Sequence, residues 1–173
     1  MRLQGRAAVV TGSTGGLGEG IARRLAAEGA AVVISGRRTE PGERVAQSLR
    51  ECGARAVFIR ADVADESECT GLIRGAVEQL GRLDILVNNA AITPAEPPDR
   101  LSVEVWDQAF AINARGAFLC AREAIPVMRR QGGGRIINIG TSVPFRGRME
   151  RLASDEAAHV TGGELNITGG LWI

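Results

Sequence analysis

A chain of 173 residues is one domain's worth of sequence and enough to bury a single sizeable core. Its 45% apolar and 24% charged residues match an average soluble globular protein, which excludes disordered, collagen-like and membrane classes. The net charge is only +1, with Arg and acidic residues interspersed, so the basic stripe of a nucleic-acid binder is missing and no nucleic-acid partner is expected.

Residues 7–11 form a short β-branched run that ends in the turn-forming stretch 12–16, and Leu17, Ile21 and Leu25 mark an apolar helical face behind it. Gly29 closes that helix. Residues 31–35 read as a second buried strand, and Pro41 sits where a first helical turn tolerates it, ahead of Val45 and Leu49. Residues 56–59 give a third strand. Asp65 with Glu68 resembles a capping pair ahead of a helix through Val77, and residues 83–87 give a fourth strand. After a loop holding Pro94, Pro97 and Pro98, a long helical stretch runs from Ser102 to about Arg130. Its apolar side carries Val105, Ala109, Ile112, Phe118 and Ile125, and Pro126 should kink it. Residues 135–139 are a fifth strand. Five strands separated by helices predict a doubly wound parallel α/β sheet, Rossmann-like, with helices on both faces in three αβα layers. Past Gly140 the alternation fails: residues 154–159 suggest a short helix and 164–167 a short C-terminal strand, so the fold reads as truncated after strand five.

Composition limits chemistry as well as class. The chain has no Tyr, and all 21 basic residues are Arg, which holds anions but cannot replace Lys as a titrating group. Cys52, Cys69 and Cys120 fit neither a disulfide framework nor a metal motif. They read as buried, inert thiols, and no metal site is expected. Residues 1–10 are too short and charged for a signal-peptide core, and no run reaches the roughly 18 apolar residues of a membrane span. A cytoplasmic protein with no membrane partner is the expectation.

The turn Thr11-Gly12-Ser13-Thr14-Gly15-Gly16-Leu17-Gly18 lies between strand one and helix one. A dinucleotide's pyrophosphate there meets unpaired helix N–H groups and the positive end of the helix dipole. Its spacing, Gly-x-x-x-Gly-x-Gly, differs from the GxGxxG fingerprint, so the turn alone is weak evidence. At the end of strand two, where an acid would hold a ribose 2′-OH, the chain reads Ser35-Gly36-Arg37-Arg38. Two guanidiniums favour a 2′-phosphate and hence NADP(H) over NAD(H); the alternative is a solvated loop.

That turn, Asp62-Val63 after strand three, Asn88-Asn89-Ala90-Ala91 after strand four, Asn113 in the long helix and residues 134–140 together resemble the short-chain dehydrogenase/reductase family. The resemblance covers residues 1 to about 148. It implies a cofactor site of Gly12, Ser13, Thr14, Gly16, Leu17, Gly18, Arg37 and Arg38, with Asp62 and Val63 bordering the adenine and Asn89 and Ala90 on the ribose side. It also implies a catalytic Asn113 and a substrate-orienting hydroxyl from Thr141 or Ser142. The reaction implied is hydride transfer between nicotinamide and a carbonyl or secondary alcohol. Relatives are often homo-oligomers built on the long helices.

The family's Tyr-x-x-x-Lys falls here on Ser154 and Ala158, which cannot exchange the proton. Residues 152–173 resemble the family's C-terminal end, so the chain reads as one domain, 1–173, with an internal deletion near residues 151–154. Three readings follow: an oxidoreductase that is weak or inactive in this form, a non-catalytic NADP(H)-binding module, and a non-functional deletion product. His159 reads as a solvated residue rather than a substitute base, Trp106 and Trp172 as packing residues, and Asn88 as a structural tie between strands.

Overall fold

Each of the five strand-like runs of the sequence becomes a parallel strand, and the central ones, β1 at Ala7–Val10 and β4 at Ile85–Asn88, are buried on both faces. A computed structural model describes residues 1–97 and 99–140. The expectations for Pro98, the helix at 154–159, the strand at 164–167, Thr141, Ser142, His159 and Trp172 lie outside the described residues. In chain order the elements are β1 (Ala7–Val10), α1 (Gly16–Ala27), β2 (Ala31–Gly36), α2 (Thr39–Glu51), β3 (Ala56–Arg60), α3 (Glu66–Leu80), β4 (Ile85–Asn88), α4 (Val103–Phe110), a π-helical segment (Ala111–Gly116), α5 (Ala117–Arg130) and β5 (Arg135–Asn138). The strands form one parallel sheet in the order β3-β2-β1-β4-β5.

Alternation along the strands divides the core between the two faces. Val9, Val33 and Leu86 point to one side, where they meet Leu72 and Ile73 of α3 and Leu119 and Cys120 of α5. Val10, Val32, Ile34 and Val87 point to the other, against Ala22 of α1 and Val45 and Leu49 of α2. The doubly wound, three-layer architecture is therefore as the sequence implies. Among the described residues, no helix is long and apolar enough to cross a membrane.

Several local expectations shift. Leu17 is 65% exposed, and α1 instead buries Gly18, Ala22 and Ala26, one turn apart, because small residues let it approach the sheet closely. The long helix is really two, joined by the π-helical segment. Hydrogen bonding departs from the α pattern at Ala111–Gly116, while α5 continues through Pro126. Its buried stripe is Ile112, Gly116, Leu119, Cys120, Ala124 and Met128, which leaves Phe118 outside. Trp106 is half exposed and stacks on Phe110 at 4.6 Å, since α4 buries none of its residues. Cys52 is exposed, whereas Cys69 and Cys120 are buried. Asp65 caps α3 by accepting from the Glu68 amide at 3.0 Å, but Glu68 does not reciprocate; its carboxylate accepts from the Asp62 amide at 2.7 Å.

At the amino ends of the central strands, Asp84 is buried and fully engaged. Its carboxylate accepts from the Ala7 amide and Arg6 at 2.9 Å and from Arg82 Nε and Nη2 at 2.7 Å. Burial pushes this carboxyl up, but the Arg82, Ala7 and Arg6 hydrogen bonds outweigh it and hold it below the usual Asp range. Asp84→Ala should cost about 1–3 kcal/mol at neutral pH, because it strands the buried Ala7 N–H. A folded-state pKa lowered in this way gives stability that is present above the ordinary Asp pKa of about 4 and lost as pH falls through the lowered value. Urea unfolding of both proteins from pH 7 to pH 2.5 should show their difference narrowing at the acid end.

Candidate functional site

A cleft of about 430 Å³ opens at the carboxyl ends of β1, β2, β3 and β4. It lies where the crossovers reverse direction between β1 and β4, the place where an open α/β sheet leaves a crevice. A larger hollow of about 810 Å³ sits at the opposite end of the sheet and holds none of the motif residues. Its Arg6 and Arg82 are engaged by Asp84, and its Arg23 by Glu19.

The turn after β1 is fastened to the loop after β4. Thr11 Oγ1 accepts from the Asn89 and Ala90 amides at 3.0 and 3.1 Å. Asn89 Nδ2 donates back to the Thr11 and Gly12 carbonyls at 2.9 and 3.2 Å. Gly12 has φ 64°, and a Cβ there would stand 2.8 Å from Ala90 Cα. At Gly18 a Cβ would collide with the Gly12 carbonyl and the Asn89 amide. Glycine at these two positions lets α1 start directly beneath the turn. Gly15, immediately before α1, provides no side-chain cap, whereas Asp65 and Ser102 cap α3 and α4. The first-turn residues Leu17 and Gly18 of α1 line the cleft, so free N–H groups and the positive end of the dipole stand beside it.

Arg37 and Arg38 enter from the end of β2. Arg38 Nη2 donates to Thr14 Oγ1 at 3.4 Å, and Arg37 lies 3.8 Å from the Asp62 carboxylate. Asp62, Val63, Asn89 and Ala90 complete the opposite wall. Two of the expected cofactor residues stand elsewhere. Ser13 is fully buried, with its hydroxyl donating to the Val10 carbonyl at 2.6 Å and accepting from the Ser35 amide at 2.9 Å, so it ties β1 to β2. Gly16 supplies a backbone turn at φ 57° and does not line the cleft.

A family model described as short chain dehydrogenase matches residues 6–153. The chain belongs to the short-chain dehydrogenase/reductase family. It is 42% identical over 150 residues to a short-chain type dehydrogenase/reductase of Picea abies, covering 82% of this chain and 55% of that protein. It is 38% identical over 164 residues to the cis-4-hydroxycyclohexanecarboxylate dehydrogenase of Sinomonas cyclohexanicum, covering 94% and 64% respectively. A gluconate 5-dehydrogenase from Burkholderia cenocepacia, solved in complex with NADP and tartrate, superposes with a TM-score of 0.76 at 37% identity over 81% of this chain and 55% of that one. The chain thus spans between about half and two thirds of the length of these relatives.

In this short-chain dehydrogenase/reductase, Asn113 sits on the π-helical segment rather than in the cleft. Its amide donates to the Ile92 carbonyl at 2.8 Å, and its Oδ1 accepts from the Ile92 amide at 2.9 Å. Thr141 and Ser142 lie outside the described residues, and of the residues expected at a cofactor site all but Ser13 and Gly16 line the cleft. Asn88 ties β4 to β5 through Asn138 Oδ1 at 2.9 Å and reaches the Ala117 carbonyl at 3.3 Å. Gly15, Gly36, Ala61, Ala91, Ile92 and Ile112 also line the cleft, although the sequence reading assigned none of them to the cofactor site. Most contribute backbone or small side chains and carry no chemical signal. Only their places, directly after strands or beside Asn113, could have pointed to them. Thr11→Val keeps the side chain's shape but leaves the Asn89 and Ala90 amides without their acceptor. It should lower stability by about 1–3 kcal/mol in urea unfolding, with an unchanged m-value.

Proposed function

We propose that the cleft binds a nicotinamide dinucleotide, NADP(H) in preference to NAD(H), and that the chain is an oxidoreductase acting on a carbonyl or secondary alcohol. The observation that carries this reading is the pair Arg37 and Arg38 at the end of β2, beside the uncapped start of α1. The N–H groups at the start of α1 would hold the pyrophosphate, and the two guanidiniums would hold the 2′-phosphate. Strand β2 ends in Ser35 and Gly36 and offers no carboxylate for a ribose 2′-OH, while Asp62 is already paired with Arg37. Asp62 and Val63 would border the adenine, and Asn89 and Ala90 the ribose. The bound cofactor supplies the hydride chemistry, and the chain supplies orientation and charge.

Turnover by these residues is slow in this reading. Neither Tyr nor Lys occurs among the 173 residues, and a positioned acid or base is worth about 10²- to 10⁴-fold in rate. Thr141 or Ser142 would orient the substrate oxygen, with Asn113 acting from the π-helical segment. A second reading, a module that binds NADP(H) without turnover, is favoured by Asn113, whose side chain is committed in both directions to the Ile92 backbone. Exposed Val103, Trp106 and Phe110 on α4, with Phe118 on α5, favour a homo-oligomer through these helices.

Thermal unfolding titrated with NADPH and NADH tests the binding, because a ligand of the native state alone raises the melting temperature. NADPH should raise it more than NADH at equal concentration. Replacing both Arg37 and Arg38 by Ala should weaken NADPH binding by about 10- to 100-fold, the scale of one charge-assisted hydrogen bond, and leave NADH little changed. A folded protein that responds to neither nucleotide sinks the proposal. Binding without oxidation of NADPH across a carbonyl panel selects the second reading.

A further inference from the structure

The π-helical segment Ala111–Gly116 touches the cleft from behind at three points. Ile112 lines the cleft itself. Asn113 exchanges two hydrogen bonds with Ile92 on the loop after β4. On the other side the segment meets the loop after β3: Arg115 Nη2 donates to the Ala64 carbonyl at 2.7 Å, and Gly116 lies flat beneath Val63. A Cβ at Gly116 would stand 2.8 Å from the Val63 carbonyl oxygen and 2.9 Å from both Val63 Cβ and Cγ2. Two of those three atoms are backbone or the root of a β-branched side chain, so no rotamer change relieves the contact.

Val63 has nowhere to retreat. Cys69, fully buried on α3, donates its thiol to the Val63 carbonyl at 3.4 Å. Cys120 of α5 lies in the same buried cluster as Cys69. The π turn explains how one short segment reaches both loops. Bonding from i to i+5 widens the turn, so residues three apart spread further round the axis than in an α-helix, and Asn113 and Gly116 address different loops.

We infer that Arg115 and Gly116 are positioning residues for the adenine side of the cleft: they fix the Val63 wall against which the nucleotide packs. This rests on the nucleotide reading above. Gly116 sets how far Val63 stands from the cleft, and Arg115 holds the following residue at that distance. Neither touches the ligand.

The test uses the full chain and two variants, Gly116→Ala and Arg115→Ala, with NADPH and with adenosine 2′,5′-bisphosphate, which carries the adenine half alone. Affinity is measured by calorimetry, and the unfolding midpoint without nucleotide is measured alongside. Gly116→Ala should weaken both ligands by about tenfold or more, the scale expected when a methyl is forced into closed packing. Arg115→Ala should keep the wild-type midpoint yet weaken the bisphosphate several-fold and speed amide exchange across residues 61–65 while leaving β1 protected. A purely structural Arg115 would move the midpoint and spare the affinity, which overturns the inference. Should Gly116→Ala fail to fold, Arg115→Ala decides alone. Wild-type affinity in both variants overturns the positioning role and leaves the nucleotide reading standing. A wild-type chain that binds neither ligand removes the nucleotide reading and this inference with it.

Discussion

The cleft depends on the seam between β1 and β4. The two strands run parallel, with Ala8 opposite Ile85 and Val10 opposite Val87, and their crossovers leave in opposite directions. No helix can cross the carboxyl end of that seam, so a crevice must open there. Thr11 and Asn89 settle its geometry by satisfying one another's backbone groups, each side chain closing the other strand's exit loop. An unpaired buried amide costs more than a good pair gains, so this reciprocal arrangement makes the seam definite rather than merely stable.

The amino end of the same strand pair is fastened electrostatically. Asp84 precedes β4 and joins the Ala7 amide at the start of β1 to Arg6 and Arg82. The two arginines remain about half exposed, which keeps their desolvation small while the carboxylate they neutralise is buried. β1 and β4 are thus fixed at both ends, and the layers pack on an invariant centre. β5 at the edge is different: Ile137 remains 45% exposed, opposite the buried Val87.

Much of this was legible in the sequence because strand periodicity and turn chemistry are local. The apolar runs around Val9, Val33 and Leu86 could be placed by eye, and the glycine turn with Asp62, Asn89 and Ala90 converges on one cleft. Errors came where a local rule had two solutions. Leu17 fits the helical period of α1, but its place in the first turn overhangs the cleft while Ala22 and Ala26 carry the packing. Trp106 and Phe118 are apolar, yet the faces bearing them look away from the sheet. Ser13 sits inside the phosphate motif and nonetheless serves the β1–β2 pairing.

The sequence by itself determined the alternation of strands and helices, the parallel sheet, the glycine turn and the basic pair after β2. Each of these follows from side-chain type and spacing over a few residues. Tertiary structure alone decided that Gly12 must clear Ala90, that Gly116 must clear Val63, and that the long helix widens into a π turn to reach two loops at once. Those are distances between segments some 20 to 80 residues apart along the chain, set by how the layers close. No local pattern encodes them.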